Sequence, residues 1–441
     1  MTLLETEPAA KPSTKSLSIG AIATIAAALA AIAVIVVTAL TLGDSPALPD
    51  GALFTTGDDG SISLFDTDTG EWVYQVPDAA LAHDRSTLFQ ASAVDDETVL
   101  TAFDPATTEE MQAQRIPGRL QIRVVSPQGD AVALMAPRTT TGLYVPEPRD
   151  TTDIYIARTD GSTWRRYALD GNYEPEAFSI NTETLFLLKF LPADNPDHYE
   201  VHRLDLETGA VINEYTPEVG LDTWMKGHAR SQVTAPDGRF LYTLYSLDQG
   251  EDPIKDPALA DSPDYHAFIH VISLEEEWSF CIFLPMPFGQ RGVDSIGLAV
   301  SPDGTALAAL DKGAGLLIEI DTAKLEISRR SMVGQYPEAD GPVPMAIDPA
   351  GIIYLAEGAH VVSLEPEGRN SSAGMETAGI VRSMDLSDNG QFLRVAVPDR
   401  IHVIDLSTGE EVGGLLLPEA ASQVILGPAT KTKFEVFTCA C

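Results

Sequence analysis

The chain has 441 residues, 65 acidic against 28 basic, and a formal net charge of −37. A surface that acidic repels polyphosphate, so nucleic acid is excluded as a partner. Apolar residues make up 44% of the chain, enough for most of it to fold.

The first 16 residues form a short head with Lys11 and Lys15. Leu17 to Leu42 then run 26 residues without a charge, about 39 Å as a helix, longer than the roughly 30 Å hydrocarbon core of a bilayer. A cleavable signal has a shorter apolar region, about 7 to 15 residues, so the run reads as a single transmembrane signal anchor. The lysines precede it and Asp44 and Asp50 follow, which puts the N-terminus in the cytoplasm and residues 51–441 on the far side of the cell membrane. Residues 43–50 are a linker, 51–437 the ectodomain and 438–441 a tail.

Beyond residue 50 no long apolar stripe at helical spacing appears. Runs of about 5 to 7 residues rich in Val, Ile, Leu, Phe and Tyr alternate instead with two turn types. The first is SPQG at Ser126, APDG at Ala235, SPDG at Ser301, DPAG at Asp348 and SDNG at Ser387. The second is FDTDTGEW at Phe65, LDLETGAV at Leu204, IDTAKLEI at Ile320 and IDLSTGEE at Ile404. Asp, Asn and Gly in these turns suit side-chain-to-backbone bonding and positive φ. Asp303 is therefore a hairpin residue and not an exposed catalytic acid.

Each unit reads strand, turn, strand, longer loop, strand, turn, strand: an antiparallel blade. With the weaker copies ISLEEEW at Ile272 and VSLEPEG at Val362 included, the second turn recurs every 42 to 48 residues across the last four copies, a spacing that fits a β-propeller. Blades fall at about 119–169, 170–216, 228–284, 294–331, 342–370 and 380–417. One more combines strands near 52–56, 61–65 and 71–75 with a C-terminal strand around Gln423–Leu426. The fold class is all-β, a propeller of seven blades; a further strand pair within 77–118 (TLFQASAV, TVLTAF) would make eight.

The SPDG…IDTxTG pattern resembles the YVTN-type, quinoprotein amine dehydrogenase-like seven-bladed propellers, which include lactonase-like and surface-layer relatives. The resemblance covers about residues 51–437 and implies architecture alone, since such folds serve both enzymes and binding modules.

His202, His270, His360 and His402 share one repeat position, but equivalent positions in successive blades lie around a ring and should not converge on a metal. GDDG at Gly57 and DQGEDP at Asp248 lack the calcium-loop spacing and read as solvated loops; calcium is the ion they would attract, and no other cofactor is evident. Cys281, in FCIFL, reads as a small buried hydrophobe.

In a blade, the second-to-third strand loop and the connection to the next blade emerge on one face. The loops there are long in three successive units, 137–150, 191–198 and 247–266, and the connections 217–230, 285–293 and 332–343 join them. Long loops on a rigid scaffold carry binding function. The face collects Tyr144, Trp224, Lys226, His228, Arg230, Phe288, Arg291, Tyr336 and Arg382 as candidate ligand or partner contacts. Packing between blades is the competing reading for Trp224 and Phe288. The expectation is a membrane-anchored extracytoplasmic binding module; the alternative is a lactonase-like or quinoprotein-like enzyme with its site at the channel mouth.

Overall fold

A computed structural model describes residues 52–57, 60–66, 71–137, 146–213, 225–248, 250–255, 261–290, 295–333, 343–366, 374–387, 390–417 and 424–426. Among them no helix occurs, and so none is long and apolar enough to cross a membrane. The apolar run at 17–42 lies outside the described residues.

The strands form eight four-stranded antiparallel sheets, seven of them in simple sequence order and one that joins the two ends of the chain. The chain is a propeller of eight blades, where the repeat pattern and the resemblance gave seven. Blade 1 spans 79–117, blade 2 spans 121–170, blade 3 spans 172–213 and blade 4 spans 228–283. Blades 5, 6 and 7 span 296–332, 345–376 and 383–416. Blade 8 joins both ends of the chain: Val424–Leu426 supplies the inner strand and pairs Leu426 with Phe54 of Ala52–Thr56. That pairing removes the free edge an open ring would leave.

The added blade escaped the turn pattern for a local reason. Its first hairpin reads AHDRST, and Ala82 and Arg85 make the same backbone bonds as Ser301 and Gly304 elsewhere: Arg85 N–H donates to the Ala82 carbonyl at 2.9 Å and Ala82 N–H to Thr87 at 2.9 Å. Arg85 takes the left-handed φ of 62° that Gly304 takes at 71°. In its second hairpin Thr108 (φ 58°) stands where Gly209 and Gly409 stand in other blades. Both glycines that mark the motif are missing, although the geometry is the same.

Where the turns are typical, the aspartate closes them. Asp303 Oδ1 accepts from Ser301 Oγ at 2.6 Å, Thr305 N–H at 3.1 Å and Thr305 Oγ1 at 2.9 Å. These donors, Ser301 first, hold its carboxyl below the usual carboxylate range. In the second turn type, Asp205 Oδ1 accepts from the backbone N–H of Glu207 and Thr208. The cores lie between neighbouring blades: one cluster packs Val233, Tyr242, Leu244 and Ile269 of blade 4 against Ile296, Leu298, Leu307 and Ile318 of blade 5.

Candidate functional site

The strand order places every SPDG-type and DxxTG-type turn on one face and the second-to-third loops and blade connections on the other. On the loop face the described residues make specific contacts. In 247–266, Leu247 N–H donates to the His266 carbonyl at 2.9 Å, and Ile254 and Tyr265 form a two-way backbone bridge. Tyr265 packs on Phe283 with ring centroids 5.0 Å apart.

The connection into blade 4 is fixed from both sides. Met225 and Tyr199 exchange backbone hydrogen bonds of 2.7 and 2.8 Å. Gly227 then passes so close to blade 4 that a Cβ would sit 3.1 Å from the Ser246 carbonyl oxygen, at a φ of +119° that favours glycine. Lys226 and His228 are thereby presented on either side of that turn, with His228 opening the inner strand His228–Thr234.

Facing them is the start of the long loop. Asp248 Oδ2 lies 3.2 Å from His228 Nε2, and Glu251 Oε1 lies 3.6 Å from Lys226 Nζ. Glu251 folds back so that its Oε2 accepts the Asp248 backbone N–H at 2.8 Å. One ligand atom from each of His228, Asp248 and Glu251 lies within 4.8 Å of the others, a three-residue arrangement able to hold a metal ion. It is the one such group among the described residues.

Two further charged groups lie on this face in other blades. Arg149, in the blade 2 loop, pairs with the buried Glu174 of blade 3 and donates to the Tyr173 carbonyl at 2.7 Å. Lys312, in the short blade 5 loop, is 5% exposed and donates to the Ala356 carbonyl at 3.2 Å. Burial lowers the pKa of its amine, and nearby Glu357 partly opposes that.

Of the residues expected on this face, Lys226 and His228 come together, and Arg382 is exposed immediately before the inner strand of blade 7. Arg230 lies in the inner strand of blade 4. Tyr144, Trp224, Arg291 and Tyr336 lie outside the described residues. Phe288 is a correction. It is fully buried and packs in the core between blades 4 and 5, so it is no contact for a ligand. Its turn is held by the buried carboxylate of Asp311, whose Oδ2 accepts the Gly289 N–H at 2.7 Å.

Sequence reasoning saw His228 as a face residue and Asp248–Pro253 as a solvated acidic loop, and did not join them. The signal was present. His228 and Ser246 are register partners, so the residue two past Ser246 returns beside the imidazole. Of the four in-register histidines, His202 bonds Glu200 at 3.0 Å and His402 bonds Glu411 at 3.0 Å, each in its own blade.

A separate cleft lies elsewhere. About 430 Å³ opens on the turn face between blades 2 and 3, lined in part by Arg158, Arg165, Tyr167 and Asp205. Arg158 donates to the Thr182 carbonyl and Arg165 to that of Leu206, so these guanidiniums serve the joint between blades.

No family model and no curated protein matches the sequence. Solved structures do match by shape. The dihydro-heme d1 dehydrogenase NirN, in complex with DHE, superposes with a TM-score of 0.50 at 15% identity, covering 86% of this chain and 77% of that one. Apo AztD from Citrobacter koseri superposes with a TM-score of 0.52 at 11% identity, covering 85% of this chain and 97% of that one. By fold, the chain is a β-propeller. At these identities the likeness carries architecture and nothing of activity.

Proposed function

We propose that the protein is a membrane-anchored, extracytoplasmic propeller that binds a ligand or partner through its loop face. The observation that carries this reading is the contrast between the two faces. One is closed by short, self-satisfied hairpins. The other gathers long loops of blades 2, 3 and 4, whose described residues make backbone bridges and ion pairs around the inner strands. The anchor rests on the uncharged run at 17–42.

Several basic side chains of this face are already paired. Arg149, Lys226 and His228 each lie against a carboxylate, namely Glu174, Glu251 and Asp248. A face of paired charges suits a polar or cationic ligand, or a protein surface with charges of both signs, better than a simple anion.

The test is a comparison of faces in the full-length protein. Alanine at Trp224, Arg230 and Arg382 should abolish ligand-induced thermal stabilisation in a screen of metals and metabolites, and co-purification of any partner from the membrane. A ligand present at 100 times its Kd should add about 2.7 kcal/mol to the wild type. Alanine at three turn-face positions should leave both signals intact. Retention of every interaction by the loop-face variant would remove this reading.

A further inference from the structure

The cluster at the entrance to blade 4 differs from the acidic loops around it in one respect: it contains an imidazole. His228 comes from an inner strand, whereas Asp248 and Glu251 come from the loop after the neighbouring strand, so two chain segments converge on one point. Ligands held 2.0–2.2 Å from one ion at tetrahedral angles lie about 3.3–3.6 Å from one another. The His228 Nε2 to Asp248 Oδ2 distance is already 3.2 Å, and the greatest separation in the group is below 4.8 Å. Rotation of the partly exposed Glu251 side chain spans the difference.

We propose that His228, Asp248 and Glu251 bind a divalent transition-metal ion of borderline softness, with zinc as the reference ion. The donor set selects the metal. Calcium takes oxygen ligands, six to eight of them, and gains little from imidazole. One imidazole and two carboxylates instead form the type of three-residue set found at open zinc sites, where a fourth position is left for water or a ligand group. The loop, read from the sequence as a solvated acidic stretch that would attract calcium, thereby gains a different ion through its partner histidine.

The cluster already attracts a cation. The Lys226 ammonium stands 3.6 Å from Glu251 Oε1, half in the protein, and would have to swing away as the metal enters. Lys226 is therefore a competitor and not a ligand, and its removal should favour the metal. The inference deepens the loop-face reading by naming an ion for it, and it shares with that reading only the location.

The experiment is a zinc titration of the full-length protein, purified in detergent without a histidine tag and stripped by a chelator. Zinc uptake is read by competition with a chromophoric chelator. Wild type should bind one tight equivalent. His228→Ala and Asp248→Asn should each weaken that equivalent at least tenfold, Lys226→Met should match or exceed the wild type, and 1 mM calcium should not displace the zinc. Asp248 is half exposed, so its variant leaves the blade packing undisturbed and stands as the readout should His228→Ala misfold. Zinc affinity within twofold of the wild type in Asp248→Asn and in folded His228→Ala would overturn the proposal, as would displacement by calcium. The titration uses no partner. A negative result removes the metal and leaves the loop-face reading to its own alanine comparison; loss of partner binding with an intact titration does the reverse.

Discussion

At the scale of single residues, conformational demands decide more than side-chain chemistry does. Asp303 looks catalytic in isolation because it sits in a loop between apolar runs. Its carboxylate is committed to Ser301 and Thr305, and those bonds lower its pKa. A group whose folded pKa is depressed contributes stability above its unfolded value of about 3.9 and loses it as pH falls through the lower folded value. Asp303→Ala should therefore cost about 1 kcal/mol at neutral pH, modest because the turn is solvent-exposed, and the difference from wild type should shrink below about pH 4. Chemical denaturation of both proteins at pH 7 and pH 3 checks the amount and the sign. Thr108 makes the opposite case. A β-branched residue at φ 58° carries strain that glycine does not, so Thr108→Gly should raise stability, by up to about 1 kcal/mol. Phe288→Ala belongs to a third class: with the ring fully enclosed between blades 4 and 5, it should cost about 3–5 kcal/mol by denaturant melt while leaving zinc affinity unchanged.

At the scale of elements, what was legible was whatever repeats with its glycine. Blades 4 to 7 announce themselves through APDG, SPDG, DPAG and SDNG, and strand Val424–Leu426 was expected as the closing strand. Blade 1 was seen only as a strand pair, because Arg85 and Thr108 occupy its left-handed positions and because a pattern written in residue letters cannot see a φ angle. The candidate site was legible by halves. Long loops and blade order picked the face and picked Lys226 and His228; the ion cluster needed the cross-strand register of His228 with Ser246, which places Asp248 beside the ring. Phe288 was misplaced because an aromatic in a connection looks alike whether it points outward or plugs the seam. The closing strand gives an element-scale prediction. Val424–Leu426 is three residues long, yet it covers the edge of Ala52–Thr56 and stands next to the inner strand of blade 7. A chain ending at residue 417 should lose the pairing, expose that edge and aggregate on mild heating, as followed by light scattering against the full chain. An unchanged melting and scattering profile would mean that the ring does not depend on this joint.

At the scale of the whole molecule, 37 excess negative charges act on both stability and binding. Self-repulsion weakens the compact state most where screening is least, and the Debye length falls from about 30 Å at 10 mM salt to about 8 Å at 150 mM. Adding sodium chloride over that range should raise Tm by several degrees, since adjacent blades then repel less across their surfaces. An uncharged osmolyte at equal osmolality should not reproduce the rise over the same concentrations, which separates screening from general exclusion effects. The same field concentrates cations near the surface, so it supplies part of any zinc affinity without specifying where the ion goes. The two contributions have different salt responses. The long-range part should fade for wild type and for Asp248→Asn alike as salt is added, whereas the difference between them, which comes from direct coordination, should persist. A difference that vanished at 150 mM salt would assign the zinc to the diffuse field of the acidic surface and not to the three residues at the mouth of blade 4.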